Sequence, residues 1–477
     1  MDSAAEASIR ASGDAGEVVS LGGEARRLLV LAAPIIATMV SRMAMSTVDF
    51  VMVSRLGTEA TAAVSPATLF VFSVLVLGMG LASSIQTFAS QALGRGEPGS
   101  ASAYAWHGVY IAAVFAAVSY PATLLAGPFW AMVGHPPAVQ AMEVVYCRTA
   151  CWCMGFSVVC ASLEGFFNGV QRPTVGLLAI LVSLGFNVCA NYCLIFGKFG
   201  FPAMGIRGAA IATVIAWGVR AAILSMVFLS AEFRTRYRTG ESWRFDGAKL
   251  AGLVRIGGPT AVQWVLDIGS WFVFLTLLMG AFGTATMAAS NIALQYMHFS
   301  FMPAIGVGIA LTSLVGHAIG EGRPDRAFAR ARACMWLTGG YMGAIGLVFW
   351  LAGGALMGVL SADAEVIRIG TGVLVWAAVF QVFDALGITY STALRGAGDT
   401  RWPAIAVVLH CWVVFIFGGY LVSRMAPGLG YHGPWMMCTL YIILLGLVLR
   451  WRFVGGAWRA IDLFRGRTGP AAREVTE

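Results

Sequence analysis

Long apolar runs alternate along this chain with short polar segments rich in Gly, Pro and Arg. About 20 apolar residues suffice for a helix to cross the hydrocarbon core of a bilayer. Twelve such runs can be read, at residues 28–53, 62–88, 104–126, 141–165, 175–196, 208–230, 256–281, 287–316, 333–354, 366–392, 403–422 and 435–452. Connections between them are short except for one, which carries Arg234, Arg236, Arg238, Arg244, Lys249 and Arg255. The pattern predicts an all-α integral membrane protein with twelve transmembrane helices. It divides into a tail (1–27), an N-lobe (28–230), a linker (231–255), a C-lobe (256–452) and a second tail (453–477).

The two halves repeat. Gln91-Ala-Leu-Gly-Arg-Gly-Glu-Pro98 after the second span returns as His317-Ala-Ile-Gly-Glu-Gly-Arg-Pro324 after the eighth. Gly57-Thr58 matches Gly283-Thr284, and Pro34 in the first span matches Pro259 in the seventh. The fourth span ends in Gly169-Val-Gln-Arg-Pro173 and the tenth in Gly396-Ala-Gly-Asp-Thr-Arg-Trp-Pro403. Six spans per half in the same orientation make a parallel repeat about an axis along the membrane normal. Repeats of this kind hold the substrate between them and work by rocking one half against the other.

Composition agrees: the chain is 58% hydrophobic and only 11% charged, where a soluble domain has about a quarter of its residues charged. The net charge of +8 reads first as the positive-inside signature, not as a nucleic-acid footprint. Most Lys and Arg fall on the side of the linker and termini, which puts that side, with both ends of the chain, in the cytoplasm of a cell (inner) membrane protein. The first 25 or so residues are polar and small, an uncleaved tail and not a signal peptide. The nine cysteines lack the ligand spacing of a metal site and read as small apolar packing residues. The Gly-x-Gly elements are followed by no Gly-Lys-Ser/Thr, so no nucleotide cofactor is expected. Turns needing φ > 0 account for those glycines.

Candidate chemistry lies in ionisable residues at membrane depth, which cost about 2.5–3.5 kcal/mol or more at a helix centre. Asp49, Asp267 and Asp384 are such residues. Asp267 and Asp384 fall in the same lobe, and on facing helices they would make a like-charge pair, of which one could hold a proton near neutral pH. Asn187 and Asn191, four apart on one face of the fifth span, can coordinate an ion or brace Asp49; helix–helix hydrogen bonding is the plainer reading. Arg42 lies two turns before Asp49 on the same face, and either sets the charge of the N-lobe cavity or simply pairs with Asp49. Arg220, midway along the sixth span, is a second cation in that lobe. Glu164 reads as a solvated helix-end acid. Gln263, Trp264, Gln295, Tyr296, His298 and Phe380 are candidates for a polar–aromatic cavity wall suited to flat cations. His410 and His317 read as packing and helix-end residues.

At this point the chain resembles the multidrug and toxic compound extrusion (MATE) family, in its NorM-type branch, from about residue 31 to 400. The carriers are Pro34…Met45-Ser-Thr-Val-Asp49, Gln91-Ala-x-Gly-x-Gly, Asn187 to Pro202, Pro259…Asp267 and Phe380-Gln-Val-Phe-Asp384…Leu394-Arg-Gly-x-Gly-Asp399. The resemblance implies two six-helix lobes in a V around a central cavity. It implies export of organic, cationic amphipathic compounds in exchange for H+ or Na+, by alternating access. It also implies that Asp49, with Asn187 and Asn191, is the N-lobe acid site, and that Asp267 and Asp384 are the C-lobe acid pair and the residues for any bound sodium ion. Three departures stand out: Asp267 where Glu is more usual, Phe380 where Tyr is frequent, and Arg42 where a neutral polar residue is common.

The expected partners are small-molecule substrates and membrane lipid, with no nucleic acid, and the expected unit is a monomer. No cofactor is expected beyond the coupling ion. A flippase or exporter of a lipid-linked or anionic metabolite would share the fold, a reading prompted by Arg42 and Arg220. A polytopic membrane enzyme would need a catalytic constellation at one membrane face, which the sequence does not offer.

Overall fold

The computed structural model describes residues 21–464. Most of the predicted N-terminal tail and the end of the C-terminal one lie outside the described residues. Fifteen α-helices follow in order: α1 (Leu21–Ser54), α2 (Thr58–Gly94), α3 (Pro98–Val133), α4 (Pro137–Ala150), α5 (Cys153–Gly169), α6 (Thr174–Phe196), α7 (Ile206–Phe228), α8 (Ala231–Tyr237), α9 (Gly247–Val273), α10 (Thr284–Gly320), α11 (Pro324–Leu360), α12 (Ala364–Gly396), α13 (Arg401–Leu409), α14 (Gly418–Met425) and α15 (His432–Val454). Eleven of the described segments are long and apolar enough to cross a membrane, and twelve when α4 and α5, bent by 49°, count as one span. The chain is a multi-pass membrane protein, and no strand occurs among the described residues.

Several details differ from the sequence expectation. The linker is not all loop: α8 forms at its start, and α9 begins at Gly247, capped by the Asp246 carboxylate accepting from the Ala248 and Lys249 amides. The fourth span breaks at Cys151–Trp152, and α1 starts seven residues before the apolar run. The seventh and eleventh spans each contain a π-helical stretch, Phe274–Met279 and His410–Phe417.

The four turns of the repeat share one backbone solution. At Gly94-Arg-Gly96 the amides of Gly96 and Glu97 donate to the carbonyls of Leu93 and Ala92, and Gly96 takes φ +76°. The same bonds recur at Gly322–Arg323, Gly398–Asp399 and Gln171–Arg172, with φ of +71°, +85° and +61° at the first residue of each pair. This is the Schellman closure, in which a left-handed residue satisfies the last carbonyls of a helix. It accounts for the second glycine of each Gly-x-Gly, as expected.

The first glycine has another job. A Cβ on Gly94 would lie 2.9 Å from Cα of Gly320, and one on Gly320 would lie 2.9 Å from Cα of Gly94. The repeated motifs touch backbone to backbone across the lobe boundary. Gly80 against Ala261 and Gly257 against Leu81 make equally close approaches. Lipid tails are as apolar as leucine, so helices in a membrane gain from such close packing and not from burial.

Apolar clustering locates the boundary between the lobes. In the half of the molecule near the linker, Leu28, Ala32 and Ile35 of α1 pack among C-lobe residues such as Leu311, Leu314 and Leu394. Leu253 and Ile256 of α9 pack, in mirror fashion, among N-lobe residues such as Phe88 and Phe166. In the other half, each cluster is drawn from one lobe alone. The lobes are therefore joined at the linker face and separate away from it, which is a V.

Candidate functional site

Two cavities follow from this arrangement, and they adjoin. The larger, about 680 Å3, is lined by Asp267, Ile268 and Trp271 of α9, His298 and Phe301 of α10, Phe380, Gln381 and Asp384 of α12, and Tyr441 of α15. Phe72, Val76 and Met79 of α2 close it from the N-lobe. Asp267 and Asp384, on different helices far apart in the chain, thus face one space. Among the described residues, Asp384 has no side-chain hydrogen bond, and Asp267 has one, from the Cys411 thiol at 3.4 Å. The neighbouring polar side chain, Gln381, is occupied with Ser300 at 2.6 Å. The cavity is an apolar and aromatic shell around two carboxyl groups.

The smaller cavity, about 190 Å3, is lined by Arg42, Glu164, Trp217, Ser83, Gln86 and Ser157 from the N-lobe. Trp264 and Ile309 close it from the C-lobe. Trp264 and Met79 line both cavities, so a ligand reaching from one to the other passes them. Arg395 lies over the Trp264 ring at 5.6 Å.

The charges of the N-lobe are arranged otherwise than expected. Arg42 does not pair with Asp49: its Nη2 sits 3.3 Å from Oε2 of Glu164. Arg220 pairs with the other oxygen of the same carboxylate. Both guanidinium groups lie over Trp217, at 5.9 and 5.4 Å. Glu164 is thus not a solvated helix-end acid but the shared counter-ion of the two arginines, and it leaves the cluster with one surplus positive charge. Asp49 has a separate neutral site. Asn191 Nδ2 donates to its Oδ1 at 2.5 Å and lies 3.2 Å from Oδ1 of Asn187, with both amides fully buried.

Other candidates are placed as follows. Trp264, Phe380 and His298 line the larger cavity. Gln263 and Gln295 line neither, Gln295 being exposed. Tyr296 turns away and donates to the Leu356 carbonyl of α11 at 2.6 Å. These three expected wall residues stand outside the linings of both cavities; helical neighbours point in different directions, and Trp264 and Met297 take the inward positions. His410 Nδ1 meets the Ala406 carbonyl at 2.7 Å within its own helix. Among the described residues no three His, Cys, Asp or Glu side chains cluster as a metal site. Cys411, Tyr441 and Glu164 are the residues that the sequence reading missed or misassigned.

A two-lobed membrane bundle of twelve crossings, with acids in a cavity between repeat-related halves, defines a secondary transporter. The MatE family pattern matches residues 34–193 and 259–421, one block in each lobe, and this chain belongs to that family. It is not an enzyme. A probable multidrug resistance protein NorM of Rhizobium meliloti (strain 1021) is 30% identical over 434 residues, covering 90% of this chain and 92% of the relative. One from Rhodopseudomonas palustris is 32% identical over 431 residues, with 89% and 90% covered. The eukaryotic MATE transporter AtDTX14 superposes with a TM-score of 0.81 at 19% identity, covering 92% of this chain and 97% of the other. A Vibrio cholerae MATE transporter, VcmN, does so at 0.81 and 20%, with 93% and 99% covered.

Proposed function

We propose that this protein is a proton-coupled multidrug efflux antiporter that exports cationic amphipathic organic compounds by alternating access. The relatives' description as multidrug resistance proteins supports the efflux part of that reading. The observation that carries the rest is the shared cavity of Asp267 and Asp384, whose walls are otherwise mostly apolar. A cavity with two carboxyl groups and aromatic walls attracts an amphipathic cation by charge and by cation–π contact. The same two carboxyl groups hold the coupling protons, so proton and drug compete for one site, and competition is what makes exchange obligatory. Sodium is the weaker partner, because a hard cation wants a full oxygen shell and Phe380 and Cys411 stand where oxygens would help.

The excess of Lys and Arg on the linker side supports a linker face and both termini on the cytoplasmic side of the inner membrane. The joined linker face then makes this conformation the outward-open one. The unit is a single chain surrounded by lipid. The rival reading, export of an anionic metabolite, is weakened, since Glu164 offsets one of the two arginines on which it rested and leaves a single surplus positive charge. The test is drug efflux from cells producing matched amounts of each variant. Asp267→Asn and Asp384→Asn should each cut energised efflux by about tenfold or more; efflux like the wild type in both would refute the reading.

A further inference from the structure

Asp267 is held by an unusual partner. Its carboxylate accepts from the Cys411 thiol, and no other side chain among the described residues donates to it. Elsewhere in the chain, cysteine thiols with hydrogen bonds meet neutral groups: Cys147 the Ala67 carbonyl, Cys160 the Trp217 carbonyl, and Cys334 the Thr389 hydroxyl. Cys411 is 1% exposed and is the second residue of the π-helical stretch His410–Phe417. A π-bulge inserts an extra residue into a turn and re-aims the side chains around it, and such bulges recur at functional sites. The seventh span has its own π-helical stretch two turns beyond Asp267, and the two pack together through Phe274 and Phe415, with ring centroids 4.6 Å apart. Tyr441 lines the same cavity, and the Ser270 hydroxyl donates to the Asp267 backbone carbonyl at 2.7 Å.

From this geometry we infer that Cys411 is a positioning residue for ion coupling, the donor that orients and stabilises the Asp267 carboxylate once its proton has left. The inference rests on the proton-coupled reading above. When Asp267 is charged, the S–H bond points at Oδ1 and the eleventh span is tied to the seventh. When Asp267 is protonated, its own O–H no longer needs that donor, and the tie loosens. No proton moves to sulfur; the one covalent bond that forms and breaks is the carboxyl O–H of Asp267, whose proton is exchanged with water. Proton occupancy is thereby read by α13 and α14, elements that carry no acid facing the cavity.

The other titratable groups around Asp267 are few. Asp384 faces it from α12, Tyr441 from α15 and His298 from α10. Cys438 of α15 belongs to the same buried cluster as Cys411, while α2 contributes Phe72, Val76 and Met79, which do not titrate. A thiol is a weak donor, but for a carboxylate with no other it matters.

The test uses full-length protein in proteoliposomes, comparing Cys411→Ala, Cys411→Ser and Asp267→Asn for drug export at a series of pH values. Cys411→Ala should lower the export rate by about fivefold or more and displace its pH profile. Cys411→Ser, which keeps a donor, should restore both. A wild-type rate and profile in Cys411→Ala, with Asp267→Asn inactive, would overturn the role of Cys411 alone. Equal loss in Ala and Ser with an unmoved pH profile would do the same, marking a packing role. An active Asp267→Asn would remove the coupling reading and this inference with it.

Discussion

Asp267 and Asp384 were legible in the sequence because hydrocarbon makes an unpartnered charge expensive, so an acid inside an apolar run advertises itself. Their partners were not legible. Glu164 lies near the end of α5, where solvation is the default, and the arginines that claim it come from α1 and α7. Cys411 looked like eight other cysteines in apolar company. The Glu164 cluster yields a stability prediction. Glu164→Gln leaves two guanidinium groups without a counter-ion and should destabilise the protein by about 3 kcal/mol. Removing the cation as well, in Arg220→Met with Glu164→Gln, should recover much of that loss. Thermal unfolding of the purified variants measures both, and equal stability of single and double mutants would contradict the shared-counter-ion account. At Asp49, Asn191→Leu removes the amide donor and should cost about 1–2 kcal/mol in the same measurement.

Among the elements, the repeated turns were the most legible feature, since a Schellman closure demands a left-handed residue that glycine supplies at least cost. What spacing alone did not separate was the two glycines of each motif. Gly96, Gly322 and Gly398 serve the turn, whereas Gly94, Gly320 and Gly396 serve contact between helices. That difference depends on a neighbour distant in sequence, from the other half of the chain for Gly94 and Gly320 and from α10 for Gly396, and so is invisible to local pattern. The two classes should respond differently to mutation. Gly322→Ala should cost about 1 kcal/mol of stability, with transport otherwise intact, because only backbone strain changes. Gly320→Leu should block the meeting of α2 and α10 and abolish transport. It should also open the linker face to a membrane-impermeant thiol reagent, measured as faster labelling of an introduced Ser313→Cys. The break of the fourth span at Cys151–Trp152 was not foreseen either, since no proline marks it.

At the scale of the molecule, the lobes meet through small residues and buried hydrogen bonds at one face only. Gln91 donates to the Gly396 carbonyl at 3.0 Å, Gln86 to Ile309 at 2.7 Å and Thr87 to Arg395 at 3.0 Å, each across the lobe boundary. Arg95 meets Asp462 at 2.7 Å and lies 4.4 Å from the Phe464 ring, so the segment after α15 also crosses to the N-lobe. All of these must part if the linker face is to open, and a covalent tie there should stop the cycle. Ser90 and Gly316 face each other across the boundary; a Cβ on Gly316 would lie 3.0 Å from that of Ser90. That is closer than the roughly 3.5–4.5 Å span of a disulfide, so the helices must part by about half an ångström for the bond to form. Ser90→Cys with Gly316→Cys should therefore be inactive when oxidised and regain transport on reduction, while each single variant stays insensitive to oxidant.

The central claim is that protons held by Asp267 and Asp384 drive export. Its most direct test is purified protein in liposomes loaded with a fluorescent organic cation, with a pH gradient or a sodium gradient imposed separately. A pH gradient alone should drive cation movement, an opposing proton flux should accompany it, and Asp384→Asn should abolish both. Transport driven by the sodium gradient and indifferent to the pH gradient would contradict the account.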